Sequence, residues 1–258
     1  MNPLNEESKP AQASERVSYV WAGNGPLVIL RHALGPKVWG WPLADLAQHC
    51  TVAVTSDFLV PSATVCSQIA QDLGRKTFSL CAWSMAGADA LMFAAAHLAG
   101  LEALILVDIV GLGSPLAESK GFEEQTPELP LPDADAWARQ LWQGWVHQQH
   151  LDTREYEALL AEQLRALPDG VRRNRAQGQQ ALQKPLLDVL GQVTTPTLLM
   201  AGRYSNVLGP GAGETAVQRL AQGQLLVFEN SAHALPLEEP ERFQRELAAF
   251  VCEHAEAT

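Results

Sequence analysis

One segment of the sequence, Phe78-Ser79-Leu80-Cys81-Ala82-Trp83-Ser84-Met85-Ala86-Gly87-Ala88-Asp89-Ala90, indicates the architecture of the chain. A short apolar run meets a serine and then becomes alanine-rich, which predicts a strand, a sharp turn and a helix. The positions two residues before and after the serine, Ala82 and Ala86, are small, as a strand and a helix that pass close together require. Ser84, at the turn, is therefore a candidate nucleophile.

This arrangement resembles the nucleophile elbow, G-x-S-x-G, of the α/β-hydrolase superfamily, with Ala82 and Ala86 in the two glycine positions. The resemblance extends from Val17 to Cys252. It implies an α/β fold with a doubly wound, mainly parallel sheet. It also implies a helical lid inserted before the last two strands.

Seven short runs have the composition of strands, and predicted helices lie between most of them. Most of the runs are continuously apolar, as expected for parallel strands that are covered on both faces. We expect strands at 17–21, 27–30, 51–55, 77–83, 101–107, 196–201 and 224–228. We expect helices at 39–48, 62–73, 85–99, 135–149 and 153–167, and an amphipathic closing helix that carries Phe243, Leu247, Phe250 and Val251. The alternation itself predicts a doubly wound, mainly parallel sheet.

The segment between Asp108 and Pro196 differs in composition from the rest of the chain. It begins with residues rich in proline, glycine and glutamate, and two predicted helices follow. We therefore expect a disordered leader at 1–16, a core made of 17–110 and 191–258, and a helical lid at 111–190. Trp142 and Trp145, in the first lid helix, are candidates for the substrate pocket, although such an aromatic stripe also occurs in ordinary packing.

The composition favours a single domain that acts on a small molecule. A chain of 258 residues with 47% hydrophobic residues can bury one large core. The formal net charge of -11 disfavours a nucleic acid or an anionic membrane as partner, because both attract basic surfaces. A small-molecule substrate is the expected partner.

The cysteines and histidines show no ligand pattern. Cys50, Cys66, Cys81 and Cys252 have neither CxxC nor zinc-type spacing, so no disulfide framework and no metal site is predicted. No Gly-x-Gly-x-x-Gly follows a strand, and no cofactor is expected. Unpaired thiols and a polar amino terminus without an apolar targeting segment favour the cytoplasm.

Two other strand ends match the superfamily. The strand predicted at 27–30 ends in Arg31-His32-Ala33-Leu34, where the resemblance places an oxyanion loop. It implies that Leu34 and Met85 donate backbone N–H groups to an oxyanion, and that His32 borders the substrate pocket. After the last strand, Ser231-Ala232-His233 precedes a Glu-x-Pro sequence and resembles the histidine loop. His233 is therefore the expected base.

The acid that orients this base is not in its usual place. The superfamily usually carries it after the penultimate strand, where this chain has Ser205 and Asn206, which bear no negative charge. A known variation places the acid after the preceding strand, where Asp108 ends an apolar run. Asp108 is the predicted acid and Glu229 a more distant candidate. The remaining alternative is that no acid is present.

These residues predict acyl transfer. Ser84 attacks an ester, thioester or lactone of a small hydrophobic or aromatic molecule, while His233 takes its proton. The fold also carries cofactor-free dioxygenases, lyases and cyclases, in which a His233–Asp108 pair would act without Ser84. A catalytically inactive binding protein is a third hypothesis, motivated by the altered elbow and the displaced acid. The sequence specifies neither the substrate nor the oligomeric state.

Overall fold

The computed structural model describes residues 17–32, 36–40, 43–55, 60–96, 99–112, 134–154, 156–161 and 186–255. In this part of the chain seven strands form one sheet, in the order β1-β3-β2-β4-β5-β6-β7. β1 pairs with β3 in antiparallel orientation, and all other neighbours in the sheet are parallel. The doubly wound, mainly parallel sheet is confirmed. The strands are β1 (Tyr19–Ala22), β2 (Leu27–Arg31), β3 (Thr51–Thr55), β4 (Phe78–Trp83), β5 (Leu101–Val107), β6 (Thr197–Gly202) and β7 (Gly223–Phe228).

Helices lie between the strands and after the last one. They are α1 (Ser62–Asp72), α2 (Ala86–Ala95), α3 (Ala134–Gln143), α4 (Leu186–Leu190), α5 (Gly209–Val217), α6 (Leu235–Glu238) and α7 (Pro240–His254). Residues 156–161 are also helical. Short 3-10 helices occupy Pro36–Trp39, Leu46–Gln48 and Gln148–His150. Among the helices of the described residues, none has both the length and the apolar character needed to cross a bilayer.

Apolar side chains cover both faces of the sheet. Along β2, Leu27 and Ile29 pack with residues of α1 and α2, whereas Val28 and Leu30 pack with residues of α7. All five residues of β2 are buried. A strand enclosed on both sides has no solvent-facing positions, which is why these runs are continuously apolar in the sequence. Each buried Val, Leu or Ile side chain contributes about 1.5–3 kcal/mol relative to an exposed one.

The prediction of a helix at 39–48 is wrong. Two 3-10 segments, Pro36–Trp39 and Leu46–Gln48, lie there instead. Gly40 and Leu43, between these segments, have φ angles of 78° and 53°. A right-handed helix does not accept positive φ, so a continuous helix cannot form across these two positions.

The sequence does not predict α5, and it overestimates the length of two other helices, α2 and α3. α5 contains Gly209, Gly211 and Gly213, and each glycine inside a helix costs about 1 kcal/mol relative to alanine. At one of these positions the close approach of α5 to β7 favours glycine, because a Cβ on Gly213 would lie 2.8 Å from Leu225 Cδ1. α2 ends at Ala95 rather than near 99, and α3 ends at Gln143 rather than near 149.

Part of the predicted domain division falls outside the described residues. This applies to the leader at 1–16 and, within the predicted lid, to residues 113–133 and 162–185. In the described part of the lid segment, Trp142, Val146 and Tyr156 pack on the sheet face that α7 also covers. The lid and its boundaries remain predictions.

Candidate active site

Ser84 lies at the turn between β4 and α2, at the carboxyl edge of the sheet. It has a φ of 59°, and a left-handed conformation costs a residue with a Cβ about 1–2 kcal/mol. Two hydrogen bonds stabilise this strained turn. The Ser84 N–H donates to Val107 O (3.0 Å), and the Gly87 N–H donates to Ser84 O (3.1 Å). The predicted succession of strand, sharp turn and helix is present.

Small residues let α2 pass close to the chain that leaves β5. Ala82 and Ala86 are buried, and a Cβ on Gly87 would lie 2.1 Å from Ile109 Cγ2. Any side chain at position 87 would therefore displace the residue that follows Asp108. The glycine brings the start of α2 and the end of β5 together.

His233 follows β7, and its ring joins Ser84 to Asp108. Its Nε2 lies 3.1 Å from Ser84 Oγ, and its Nδ1 lies 2.6 Å from Asp108 Oδ2. A carboxylate beside Nδ1 favours the tautomer that carries a proton on Nδ1. That tautomer leaves Nε2 free to accept the serine hydroxyl, which is the arrangement that a general base requires.

Asp108 follows β5 and is completely buried. Its N–H donates to Met200 O in β6 (2.8 Å), and its φ is 42°. The Oδ2 atom accepts hydrogen bonds from His233 Nδ1 and from Ser205 Oγ, each of 2.6 Å. Oδ1 has no hydrogen-bond partner among the described residues. An ionised carboxylate at this position favours positive charge on the imidazole.

The other acid candidates have different contacts. Ser205, at the usual position of the acid, donates to Asp108 and accepts a hydrogen bond from the Val207 N–H (3.0 Å). Glu229 is exposed and forms two contacts of 2.7 Å with the Arg203 guanidinium. The hydrogen bonds from Arg203 lower the pKa of the Glu229 carboxyl. The carboxylate that contacts His233 is that of Asp108.

Of the two expected oxyanion donors, one can be placed. Met85 follows Ser84 and directly precedes α2. The N–H groups at the amino end of a helix have no acceptor within the helix and carry part of its positive dipole. Leu34, the other expected donor, lies outside the described residues.

His32 follows β2 at the same edge of the sheet. Its ring stacks on Trp83, with centroids 4.2 Å apart and an interplanar angle of 24°. Burial, with a smaller contribution from the neighbouring His233, lowers the pKa of His32 to about 3. The ring is therefore neutral near pH 7, with one nitrogen as donor and the other as acceptor. Its role in a substrate pocket stays a prediction.

Trp142 and Trp145 both lie near His233. Their ring centroids are 6.4 and 5.3 Å from that of His233, and the two indoles meet edge to face at 5.5 Å. Trp142 is 2% exposed and packs in the core, whereas Trp145 is partly exposed. Trp145 is the better placed of the two to touch a bound molecule, and the pocket role of both stays a prediction.

Glu238, to which the sequence pattern assigns no role, contacts the histidine loop. Its carboxylate accepts hydrogen bonds from the N–H groups of His147 and Ala232. Burial raises the pKa of Glu238 to about 7, against the opposing effect of these hydrogen bonds. The available signal was its place in the Glu-x-Pro sequence after His233.

The structure offers no obvious metal ligands in its described residues. No group of three or more His, Cys, Asp or Glu side chains there could hold an ion. The four cysteines are free thiols, of which Cys252 is exposed. The expectation that the protein uses no metal or cofactor remains a prediction.

Known proteins resemble this chain in sequence and in fold. No protein-family model matches the sequence. The chain is 24% identical over 236 residues to a pimeloyl-(acyl-carrier protein) methyl ester esterase of Nitrosomonas europaea, which covers 86% of this chain and 94% of that protein. An esterase of Thermogutta terrifontis superimposes with a TM-score of 0.76 at 22% identity, covering 93% of this chain and 94% of the other. An enol-lactonase of Burkholderia xenovorans gives a TM-score of 0.74 at 16% identity, covering 92% and 96%. Over 92–93% of its length the chain therefore shares the α/β-hydrolase fold of these two structures.

Proposed function

We propose that this protein is a serine hydrolase of esters, thioesters or lactones of small hydrophobic or aromatic molecules. The observation that carries the proposal is the hydrogen-bonded series Ser84, His233 and Asp108, with contacts of 3.1 and 2.6 Å. The similar proteins described above, two esterases and an enol-lactonase, also point to ester and lactone chemistry.

In the first half of the reaction Ser84 Oγ attacks the carbonyl carbon while His233 Nε2 takes the hydroxyl proton. The charge of Asp108 stabilises the imidazolium that forms. The N–H groups of Met85 and Leu34 are the proposed donors to the oxyanion. The imidazolium then gives its proton to the departing oxygen or sulfur, so that an alcohol or thiol leaves and an acyl-serine remains.

The second half repeats the same steps with water. His233 Nε2 takes a proton from a water molecule as the water oxygen attacks the acyl carbon. The tetrahedral intermediate collapses, Ser84 Oγ recovers its proton from the imidazolium, and the carboxylic acid is released. No reactant other than water is required.

An apolar or aromatic substrate is proposed because aromatic rings surround the reacting groups. His32 stacks on Trp83, and the rings of Trp83 and Trp145 lie 5.7 and 5.3 Å from that of His233. Such walls favour ligands with apolar bodies and one carbonyl group to be oriented. The cytoplasm is the proposed compartment, since four free thiols suit a reducing environment.

The proposal is tested by intact mass after incubation with a fluorophosphonate, on wild type, Ser84→Ala and Ser79→Ala. Ser79 is a matched control, because its buried Oγ has no hydrogen-bond partner among the described residues. We expect one adduct on wild type and on Ser79→Ala, and none on Ser84→Ala. Turnover is then measured on aryl esters, thioesters and lactones, and on a pimeloyl methyl ester because of the curated relative.

A folded wild type without adduct and without turnover on this panel would refute the hydrolase. Retained turnover in Ser84→Ala would instead point to chemistry by the His233–Asp108 pair alone, as in a dioxygenase, lyase or cyclase. Binding of an aromatic ligand with no reaction in either protein would point to a binding protein.

A further inference from the structure

Glu238 connects two segments that are far apart in the sequence. It is the last residue of α6 and is 6% exposed. Its Oε1 accepts a hydrogen bond of 2.6 Å from the His147 N–H, and both oxygens accept from the Ala232 N–H, at 3.1 and 3.0 Å. Ala232 immediately precedes His233, so this carboxylate binds the backbone next to the proposed base.

The same two segments also meet directly. The His233 N–H donates to Trp145 O at 2.8 Å, and on the other side Trp83 Nε1–H donates to His233 O at 3.0 Å. The backbone of His233 is thus held between the end of β4 and the segment 145–147. The backbone N–H groups of His147, Ala232 and His233 therefore find their acceptors in Glu238 and Trp145.

We propose that Glu238 is a positioning residue, which joins the segment 145–147 to the histidine loop and so keeps His233 Nε2 on Ser84 Oγ. The role rests on the proposed function, since it serves the base of that reaction. A displacement of this loop acts on the 3.1 Å contact between Nε2 and the serine hydroxyl. Proton transfer depends on such a distance, and a misplacement of about 1 Å can lower turnover about 100-fold.

The buried negative charge of Glu238 lowers the stability of the folded protein, which argues against a purely structural role. Burial raises the pKa of Glu238 from 4.5 to about 7, and the backbone hydrogen bonds and His233 oppose this rise only in part. Between about pH 4.5 and 7 the folded protein therefore binds more protons than the unfolded chain, so stability falls as pH rises through this window. Glutamine, which is neutral and of the same shape, is expected to keep or raise the melting temperature at pH 8.

Protonation of Glu238 also predicts a pH effect on turnover. A proton on Oε2 turns that acceptor oxygen into a donor, which can no longer accept the 3.0 Å hydrogen bond from the Ala232 N–H. Among the described residues, the titratable groups near Glu238 are His233, His147, whose backbone N–H binds the carboxylate, and His150 and Tyr156, which line the same small cavity. As the pH falls through about 7, the loss of this hydrogen bond weakens the connection to the histidine loop, and kcat falls.

The test compares Glu238→Gln with Glu229→Gln, the same chemical change at an exposed residue at the start of the histidine loop. We expect Glu238→Gln to lower kcat about 10- to 100-fold at pH 8 with KM nearly unchanged. In the pH profile of kcat, the part of the decrease near pH 7 that comes from protonation of Glu238 should be absent in this variant. The melting temperature is expected to stay at or above that of wild type. Equal kcat in Glu238→Gln and wild type, or a kcat loss matched by a loss of folded protein, overturns the proposal.

A readout without substrate separates this proposal from that of the hydrolase. A proton on His233 Nδ1 in a 2.6 Å hydrogen bond to Asp108 is expected to give a strongly downfield proton resonance in wild type. We expect Glu238→Gln to shift or broaden that resonance, and Glu229→Gln to leave it in place. An unchanged resonance in Glu238→Gln refutes the positioning role, even if wild type hydrolyses no ester.

Discussion

Replacing Asp108 by asparagine separates the charge of the acid from its shape. In wild type, Oδ2 accepts from both His233 Nδ1 and Ser205 Oγ at 2.6 Å. An amide oxygen can accept the same two hydrogen bonds, but it does not stabilise the imidazolium. An amide NH2 group facing Nδ1 moves the imidazole proton to Nε2, where it blocks the acceptance of the serine proton. The equivalent change in serine proteases lowers turnover about 10⁴-fold, or about 5.5 kcal/mol in the activation barrier.

A second substitution tests whether position 205 can carry the charge instead. In Ser205→Asp alone, two carboxylates about 4 Å apart would repel by about 4 kcal/mol at an effective dielectric constant of about 20. We therefore expect that single variant to be less stable and less active than wild type. In Asp108→Asn/Ser205→Asp the repulsion is absent, and a carboxylate again lies near His233 Nδ1. Part of the lost turnover should return.

All three variants are assayed by ester turnover, by the rate of phosphonylation of Ser84 in intact mass, and by thermal unfolding. We expect Asp108→Asn to unfold at or above the wild-type temperature, because a buried charge is removed without a change of volume. Wild-type turnover in Asp108→Asn, together with an inactive Glu229→Gln or Asn206→Ala, would show that the acid assignment is wrong.

Two further predictions concern stability. The pKa of His32 is about 3 in the folded protein against an ordinary value of 6.5. Between these two pH values His32 is protonated in the unfolded chain but not in the folded protein. The free energy of unfolding should therefore fall by about 1.4 kcal/mol for each pH unit below pH 6.5. Urea unfolding at pH 7, 6 and 5 should show this slope and its loss in His32→Phe, and an unchanged slope would contradict it. Gly202→Ala should lower the melting temperature and turnover, because its Cβ would lie 1.8 Å from Ala232 O. Gly211→Ala, whose Cβ meets no described atom within 4 Å, should raise stability by about 0.5–1 kcal/mol, and equal effects of the two would refute the argument.

The sheet could be predicted from the sequence because its strands are buried on both faces. Burial of both faces leaves the signature of continuous apolar runs, and each predicted strand is present within two residues of its expected ends. Asp108 could be proposed as the acid for a related reason. A carboxylate that ends such a run lies at the carboxyl edge of a parallel sheet, where Ser84 also lies.

What the sequence could not predict depends on contacts between distant segments. α5 is stabilised by its packing on β7 in spite of its glycines, and local propensity carries no trace of that packing. The hydrogen bonds of Glu238 join residues 147, 232 and 238, and the first of these lies 91 positions from Glu238. The positive φ of Leu43 could not be predicted either, because leucine has no preference for that conformation.

The pairing of β5 with β6 bears on whether the segment between these two strands could be replaced by a segment from a related protein. The chain leaves the sheet at Asp108 and returns in the adjacent strand, with Val107 beside Met200. Because the two strands are parallel, the intervening stretch starts at the carboxyl edge of the sheet and ends at the amino edge, where Thr197 pairs with Leu104. Both of its ends are fixed by the sheet, and doubling its length adds only about 0.6 kcal/mol of closure entropy. The stretch nevertheless supplies the Trp145 carbonyl and the His147 N–H that the histidine loop uses. A segment from a relative can replace it without loss of turnover only if the new segment has a backbone carbonyl at the position of Trp145 O and a backbone N–H at the position of the His147 N–H.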